Sequence, residues 1–250
     1  MTDFIIKTIT KSFDGIQAVK NFSFEWQNQR ILGLIGPNGA GKTTLFHILT
    51  GFLPADSGQF LFKGENLLKT PPHRIVHKGI ARTFQDLRLL RQVRVIENVL
   101  LCRLNQIGED PLSAWIRGKK YRQNHRENME KAESILEFIG LLDKRNDLAE
   151  ALSYGQQKLL SLGCCLATEA EYLLLDEPVS GVNPAMIGKI LGLLKKLANQ
   201  GRKILLIEHN IEAVRSVCDG LIVMDHGRKI AEGRPEEVLA KEEIVEAYLE

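Results

Sequence analysis

The sequence has almost no excess of either charge: 33 Lys and Arg stand against 31 Asp and Glu over 250 residues, a net of +2 at pH 7. Such a balance supplies no strong field toward a polyanion, so a protein that coats nucleic acid is not expected and no nucleic-acid partner is assigned. Long apolar runs are also missing. The longest stretch free of Asp, Glu, Lys and Arg, residues 43–55, has 13 residues, against the ~20 that a helix needs to span a bilayer. The chain is not expected to cross a membrane by itself. Residues 1–11 lack a basic start, a long apolar run and a small-residue cleavage site, so no secretory leader is expected. Cysteine is sparse, with Cys102, Cys164, Cys165 and Cys218 forming no C-x-x-C pair; this reads as reduced cytoplasmic thiols packed as small hydrophobes. His73 and His77 stand at i, i+4 without an evident third ligand, and no transition metal is assigned. Neither a repeat nor a low-complexity linker is present, and no appended regulatory domain is expected.

What is there is ordinary globular material, 44% apolar and 26% charged, long enough for one large domain or two closely fused ones without disulfides or metal. Short apolar runs at residues 31–35, 172–175, 204–207 and 221–224 read as strands with longer amphipathic stretches between several of them. Buried strands alternating with helices imply a largely parallel sheet covered on both faces. The start differs: residues 4–10 and 19–26 are β-like around a turn at Asp14-Gly15, which predicts a β-rich, antiparallel edge. Between residues 87 and 162 the strand signal disappears. Residues 93–102 and 124–139 read as helices, the second stopped by Gly140, and together they predict a helical insert in an α/β domain. A short helical segment is expected at residues 236–250.

Chemistry enters with Gly36-Pro37-Asn38-Gly39-Ala40-Gly41-Lys42-Thr43, which fits G-x-x-x-x-G-K-[ST] directly after a strand and before the helix-like residues 44–50. Glycines there let backbone N–H groups turn inward around phosphate oxygens at a helix N-terminus, where the dipole also favours anions. Lys42 would reach the β- and γ-phosphates and the Thr43 hydroxyl would sit on Mg²⁺. Asp176-Glu177 ends another hydrophobic strand; neighbouring strand side chains diverge, so one carboxylate can hold Mg²⁺ through water while the other orients and deprotonates an attacking water. His209 follows the run at 204–207 and Gln85 follows residues 80–84. Both lie at carboxyl ends of strands, where α/β folds bind ligands. Leu152-Ser153-Tyr154-Gly155-Gln156-Gln157 opens a helical stretch with Ser153 as N-cap. It is a second anion-site pattern, 111 residues after Lys42, and two chains sharing two nucleotides would use both.

Gly36 to Thr43, Gln85, the segment from Leu152 to Gln157, Asp176-Glu177, Ser180-Gly181-Val182-Asn183 and His209 occur in the order that marks ATP-binding cassette ATPases, and the resemblance covers essentially the whole chain. Within that superfamily, Ala81-Arg82-Thr83-Phe84-Gln85, Tyr154-Gly155-Gln156-Gln157, Gly181-Val182-Asn183-Pro184 and Ile207-Glu208-His209-Asn210 resemble the ATP-binding subunits of high-affinity branched-chain amino-acid importers, with amide and urea importers close by. The resemblance implies an α/β P-loop NTPase fold in one domain, with residues 1–86 and 163–250 as ATP-binding core and 87–162 as a helical subdomain ending in the signature. It implies ATP and Mg²⁺ as cofactors and an ATPase coupled to transport. By that resemblance residues Gly36 to Thr44 hold phosphate, Thr43 and Gln85 bind Mg²⁺ directly and Asp176 through water, Glu177 is the general base, and His209 contacts the γ-phosphate. Ser153, Gly155 and Gln156 would complete a partner's site. Phe13 stands where the family stacks adenine, with an ordinary β-core role as the alternative, and Val19 would be a second adenine contact. The implied partners are a second cassette subunit, membrane permease subunits docking near Gln85 to Leu90 and, indirectly, a solute-binding protein; the implied place is the inner face of the cell membrane. A lipid-type exporter and a soluble cassette for DNA repair or translation are the alternatives. Three positions depart from the family pattern: Tyr154 for glycine, Asn183 for aspartate, and Cys164 where arginine is common. The basic run at 117–126 reads as a solvated helix face or as an approach to lipid headgroups.

Overall fold

The computed structural model describes residues 3–85, 87–104, 119–241 and 244. Strand β3 (Ile31–Ile35) is apolar at every position and buried throughout, which suits it to the middle of a sheet covered on both faces. It pairs in parallel with β8 (Lys203–Ile207) and β9 (Gly220–Asp225). β7 (Tyr172–Asp176) and β6 (Ile80–Arg82) extend the parallel array, and β10 (Arg228–Gly233) closes the other side antiparallel to β9. The order is β10-β9-β3-β8-β7-β6.

Alternation along these strands sends side chains into two separate interiors. Ile31 and Ile35 of β3 join Leu173, Leu175, Ile204 and Leu206 in a core shared with the helices. Leu32 and Leu34 face the other way, with Leu174, Leu205 and Ile222, toward helix α1 (Lys42–Leu49) and the chain's first strands. Those first strands, β1 (Phe4–Phe13) and β2 (Ile16–Glu25), turn at Asp14-Gly15 and combine with β4 (Ser57–Phe62) and β5 (Glu65–Asn66) in an antiparallel sheet of order β2-β1-β4-β5. The β-rich start is therefore a sheet of its own and not an edge of the parallel one. Phe4 joins the layers: its ring stacks on Tyr172 of β7 at 5.6 Å and meets Trp26 edge-on at 5.3 Å, contacts that contribute about 1 kcal/mol each beyond burial.

Between β6 and β7 the regular elements among the described residues are helices. Helix α2 (Pro72–Lys78) precedes β6; α3 (Val95–Leu101), α4 (Lys119–Ile139) and α5 (Tyr154–Ala167) pack against one another. Gly140 ends α4 with φ +71°, a conformation glycine adopts without steric cost. The expected boundary at 162/163 falls inside α5, where a Cβ on Gly163 would lie 2.8 Å from Ile139. The helical region is thus spliced to the core through a continuous helix, not a linker. Helices α6 (Pro184–Asn199) and α7 (Ile211–Val217) follow, and α8 (Pro235–Val238) is what the structure describes of the expected terminal helix apart from residue 244. The start of the basic run at 117–126 also lies outside the described residues.

Candidate active site

The carboxyl ends of β3, β8, β7 and β6 lie side by side, and each releases one part of the site. From β3 the chain enters the glycine loop. A Cβ on Gly36 would stand 1.9 Å from the Met224 carbonyl oxygen, and one on Gly41, at φ +98°, 2.1 Å from that of Ala18. Any side chain at these two positions would push the loop off its supports. Lys42 then begins α1. The residue is 5% exposed, and its Nζ donates to the carbonyl oxygens of Gly36 at 2.7 Å and Pro37 at 2.8 Å. Burial pushes its pKa down, while the carboxylates of Glu177 and Asp176 pull it up. The ammonium is held at the loop by its own backbone.

β7 delivers Asp176 and Glu177 with opposite surroundings. Asp176 is 1% exposed; its Oδ2 accepts from Arg82 Nη2 at 2.8 Å, and its Oδ1 has no hydrogen-bond partner among the described residues. Burial pushes the Asp176 carboxyl up and the Arg82 guanidinium down, and the contact between them opposes both. Glu177 lies at φ +49°, with its N–H donating to the Ile207 carbonyl at 2.9 Å and its own carbonyl accepting from Lys158 Nζ at 2.8 Å. That turn presents the carboxylate to two neighbours: His209 Nε2 stands 3.1 Å from Oε1, and Gln85 Nε2 donates to Oε2 at 3.3 Å. His209 is aimed by the residue before it. Glu208 is 2% exposed and accepts from the N–H groups of Val179 at 2.9 Å and His209 at 3.2 Å; burial pushes its carboxyl up against those donors.

Ala18, residues 38–44, Gln85, Glu177 and His209 line a cleft of ≈ 220 Å³. The structure thus brings together most of the residues singled out in the sequence: Asn38, Gly39, Ala40, Gly41, Lys42, Thr43, Thr44, Gln85, Glu177 and His209, with Gly36 and Pro37 supporting Lys42 and Asp176 behind them. Val19 is a correction. Its side chain is 0% exposed among Phe22, Phe24 and the rest of the aromatic core, so it faces away from the cleft, and Ala18 lines the wall instead. Phe13 is no core residue either: it ends β1 at the hairpin with 44% exposure and Lys11 Nζ 5.4 Å from its ring centroid, outside the cleft lining.

Ser153, Gly155 and Gln156 line no part of this cleft. They open α5, where the Gln156 N–H donates to Ser153 Oγ at 3.4 Å and the Ser153 N–H to Gln156 Oε1 at 2.9 Å, a reciprocal cap of the helix start. At the departures from the family pattern, the Tyr154 ring lies over Gly181, whose Cβ would come within 3.1 Å of it. Asn183 caps α6, accepting from the Met186 N–H at 2.9 Å. Cys164 Sγ donates to the Asn98 carbonyl at 3.5 Å, and the nearby ion pair is made by Arg103, 2.9 Å from Glu169. Sequence reasoning gave no role in the site to Arg82, Lys158, Glu208 or Ala18, although Arg82 and Glu208 stood in the quoted motifs. The signal for Arg82 was a cation inside a buried strand next to Gln85, which requires an anion across the sheet.

Comparison with known proteins gives this cleft its relatives. The ABC transporter family profile matches residues 19–180. The chain is 38% identical over 238 residues to the high-affinity branched-chain amino acid transport ATP-binding protein LivG of Escherichia coli K12, covering 95% of this chain and 93% of the relative. It is 35% identical over 245 residues to BraF of Pseudomonas aeruginosa, named for the same transport role, covering 98% and 96%. Among solved structures, a nucleotide-free ATP-binding cassette from an ABC transporter matches at TM-score 0.86 and 36% identity, covering 99% of both chains. A cassette structure solved in an ADP conformation matches at TM-score 0.85 and 35% identity over 100% of this chain and 99% of its own. A glycine loop, a helical region and paired carboxylates in this order, matched along nearly their whole length by those relatives, make the chain a member of the ABC transporter family.

Proposed function

We propose that this chain is the ATP-hydrolysing subunit that energises uptake of branched-chain amino acids. The observation that carries the reading is the convergence of Lys42, Gln85, Glu177 and His209 on one cleft whose floor is a glycine loop at a helix start. Backbone N–H groups of residues 38–43, preorganised by the loop for the charge that develops, and the Lys42 ammonium take the phosphate chain. Lys42 leaves two carbonyl oxygens for phosphate oxygens, so its present partners are placeholders for the nucleotide. Glu177 orients a water in line with the γ-phosphorus and takes its proton, a role that contributes about 10²–10⁴ in rate. His209 and Gln85 each hold one carboxylate oxygen of Glu177 in the cleft; with ATP bound, His209 would contact the γ-phosphate and Gln85 would be a ligand of the cation. Magnesium, when bound, neutralises the phosphate oxygens and polarises the γ-phosphoryl group. Thr43, Gln85 and, through water, Asp176 are the residues to hold it, and the buried Oδ1 of Asp176, which has no hydrogen-bond partner among the described residues, fits that assignment.

Because Ser153, Gly155 and Gln156 lie outside this chain's own cleft, a second cassette subunit supplies them in turn, giving two nucleotides shared by two chains. The permease docks beside Gln85. A groove of ≈ 330 Å³ there is lined by Phe84, Leu89, Leu90, Leu101 and Cys102 among others, with Leu90 at 52% and Leu101 at 62% exposure. Leu89 packs against the core, which makes it a support and leaves Leu90 as the anchor. Among the described residues no helix is long and apolar enough to cross a membrane, and the chain's place is peripheral, under the permease on the inner face. The test is purification of the tagged chain from detergent extracts, identification of the membrane subunits that accompany it, and reconstitution in vesicles. ATP-dependent uptake of labelled leucine is expected, and uptake that ignores leucine, isoleucine and valine would refute the substrate. In the same system Leu90→Asp should keep basal ATPase and lose permease binding.

A further inference from the structure

The two oxygens of Asp176 are treated differently by the protein, and one side chain makes the difference. Arg82 spends its planar donor set on three partners: Nη2 on Asp176 Oδ2 at 2.8 Å, Nε on the carbonyl of the next residue, Thr83, at 3.1 Å, and Nη1 on Thr50 Oγ1 at 3.4 Å, at the end of α1. Two rings hold the guanidinium from its sides, Phe46 at 5.6 Å and Phe84 at 4.9 Å from its carbon to their centroids. The pair is sealed from solvent, with side chains 4% and 1% exposed. The Asp176 backbone is fixed as well: its N–H donates to Thr83 Oγ1 at 3.1 Å, and β7 pairs it with Ile207 of β8. The carboxylate is thus held through Oδ2 and its backbone before any ligand arrives, and its Oδ1 is left without a hydrogen-bond partner among the described residues.

We infer that Arg82 is a positioning residue for the divalent cation, fixing the Asp176 carboxylate by one oxygen so that the other is presented to a water bound to the metal. The inference rests on the reading of the cleft as a Mg²⁺-ATP site. A role limited to neutralising a buried charge would be met equally by lysine. Orienting the carboxylate would not, because an ammonium is a point charge that cannot reach Asp176, Thr83 and Thr50 in one plane. Partners one step behind metal ligands typically change metal affinity by about 10- to 100-fold when altered, and that sets the size of the expected effect.

The experiment measures ATP binding by calorimetry while Mg²⁺ is titrated, alongside binding in excess EDTA and thermal unfolding without ligand. For Arg82→Lys, ATP affinity in EDTA is expected to stay within about twofold of the wild type, while the Mg²⁺ midpoint rises by about tenfold or more. Arg82→Met should raise it at least as far. This variant leaves a buried carboxylate uncompensated, and if it does not fold, Arg82→Lys decides alone. Phe52→Leu is the packing control: its ring meets Phe84 edge-on at 5.2 Å without touching the carboxylate, and its Mg²⁺ midpoint should match the wild type. A folded Arg82→Lys protein with a wild-type midpoint overturns the inference, as does a Phe52→Leu shift of equal size. Wild-type protein that binds no ATP at any Mg²⁺ concentration overturns the nucleotide reading and this inference with it.

Discussion

Replacing Glu177 by Gln separates the chemistry of the cleft from its architecture. The Glu177 backbone is held by contacts that do not involve the carboxylate: its N–H to the Ile207 carbonyl and its carbonyl to Lys158. The substitution therefore leaves the turn in place. Of the two side-chain contacts, with His209 at 3.1 Å and Gln85 at 3.3 Å, an amide can keep one as acceptor and must set its NH₂ against the other donor. One lost hydrogen bond costs about 1 kcal/mol. Loss of a general base costs about 10²–10⁴ in rate, which at 1.36 kcal/mol per decade is about 3 to 5 kcal/mol in the barrier. The two magnitudes are far enough apart to be told from each other. ATP affinity should hold or rise, since one negative charge has left a site that takes a polyanion. Calorimetry for ATP, phosphate release for turnover and gel filtration for mass are the assays; an ATP-bound dimer should accumulate. Turnover within about threefold of the wild type in a folded Glu177→Gln protein would refute the base assignment, because ~0.6 kcal/mol is less than the loss of any base has to cost.

Gly41→Ala should destabilise the fold by about 2 kcal/mol or more and abolish ATP binding, since alanine at φ +98° is strained and its Cβ would lie 2.1 Å from the Ala18 oxygen; urea unfolding and nucleotide titration check both. Ser153→Arg should keep ATP binding and lose turnover, and mixed dimers of Ser153→Arg with Lys42→Ala chains should recover at most one working site, about half of wild-type activity. Equal turnover in Ser153→Arg and wild-type protein would sink the shared-site scheme. Iodoacetamide should label Cys102 first near neutral pH. The contact with the Cys164 thiol pulls the Cys102 pKa down, giving more thiolate at a given pH, whereas burial pushes Cys165 and Cys218 up to about 12. Peptide mass mapping should find those last two modified only after denaturation.

The central strands were legible as sequence because burial on both faces writes an unbroken apolar run: residues 31–35 coincide with β3, and the runs at 204–207 and 221–224 fall within β8 and β9 with one or two residues to spare. β10 was not legible. Only one of its six residues is buried, as a strand pairing on a single side allows. β4 carries Gly58 and Ser57 in its first turn of pleat, which breaks the alternation that would have announced it. Within the site, loop and carboxylates were read from residues adjacent in sequence, where type and order suffice. The Arg82–Asp176 pair spans 94 residues, and nothing local in either segment states which cation meets which anion. Val19 turns into the core for a related reason: neighbouring residues of a strand face opposite sides, and it is Ala18 that lines the cleft.

The division of the central strands between two interiors restricts how this protein can be recombined with its relatives. Ile31 and Ile35 answer to the helical side, Leu32 and Leu34 to the aromatic side, and Gly33 has no room for a Cβ, which would meet Leu221 at 2.8 Å. A chimera that imported the four-stranded sheet from a homologue would change one set of neighbours of β3, and one that imported the helices would change the other. In either graft the strand that carries Gly36 would settle differently, and the loop would inherit the error. Exchange is clean only when the donor supplies β3 together with both of its coverings, so the unit that can be transplanted here is the whole cassette.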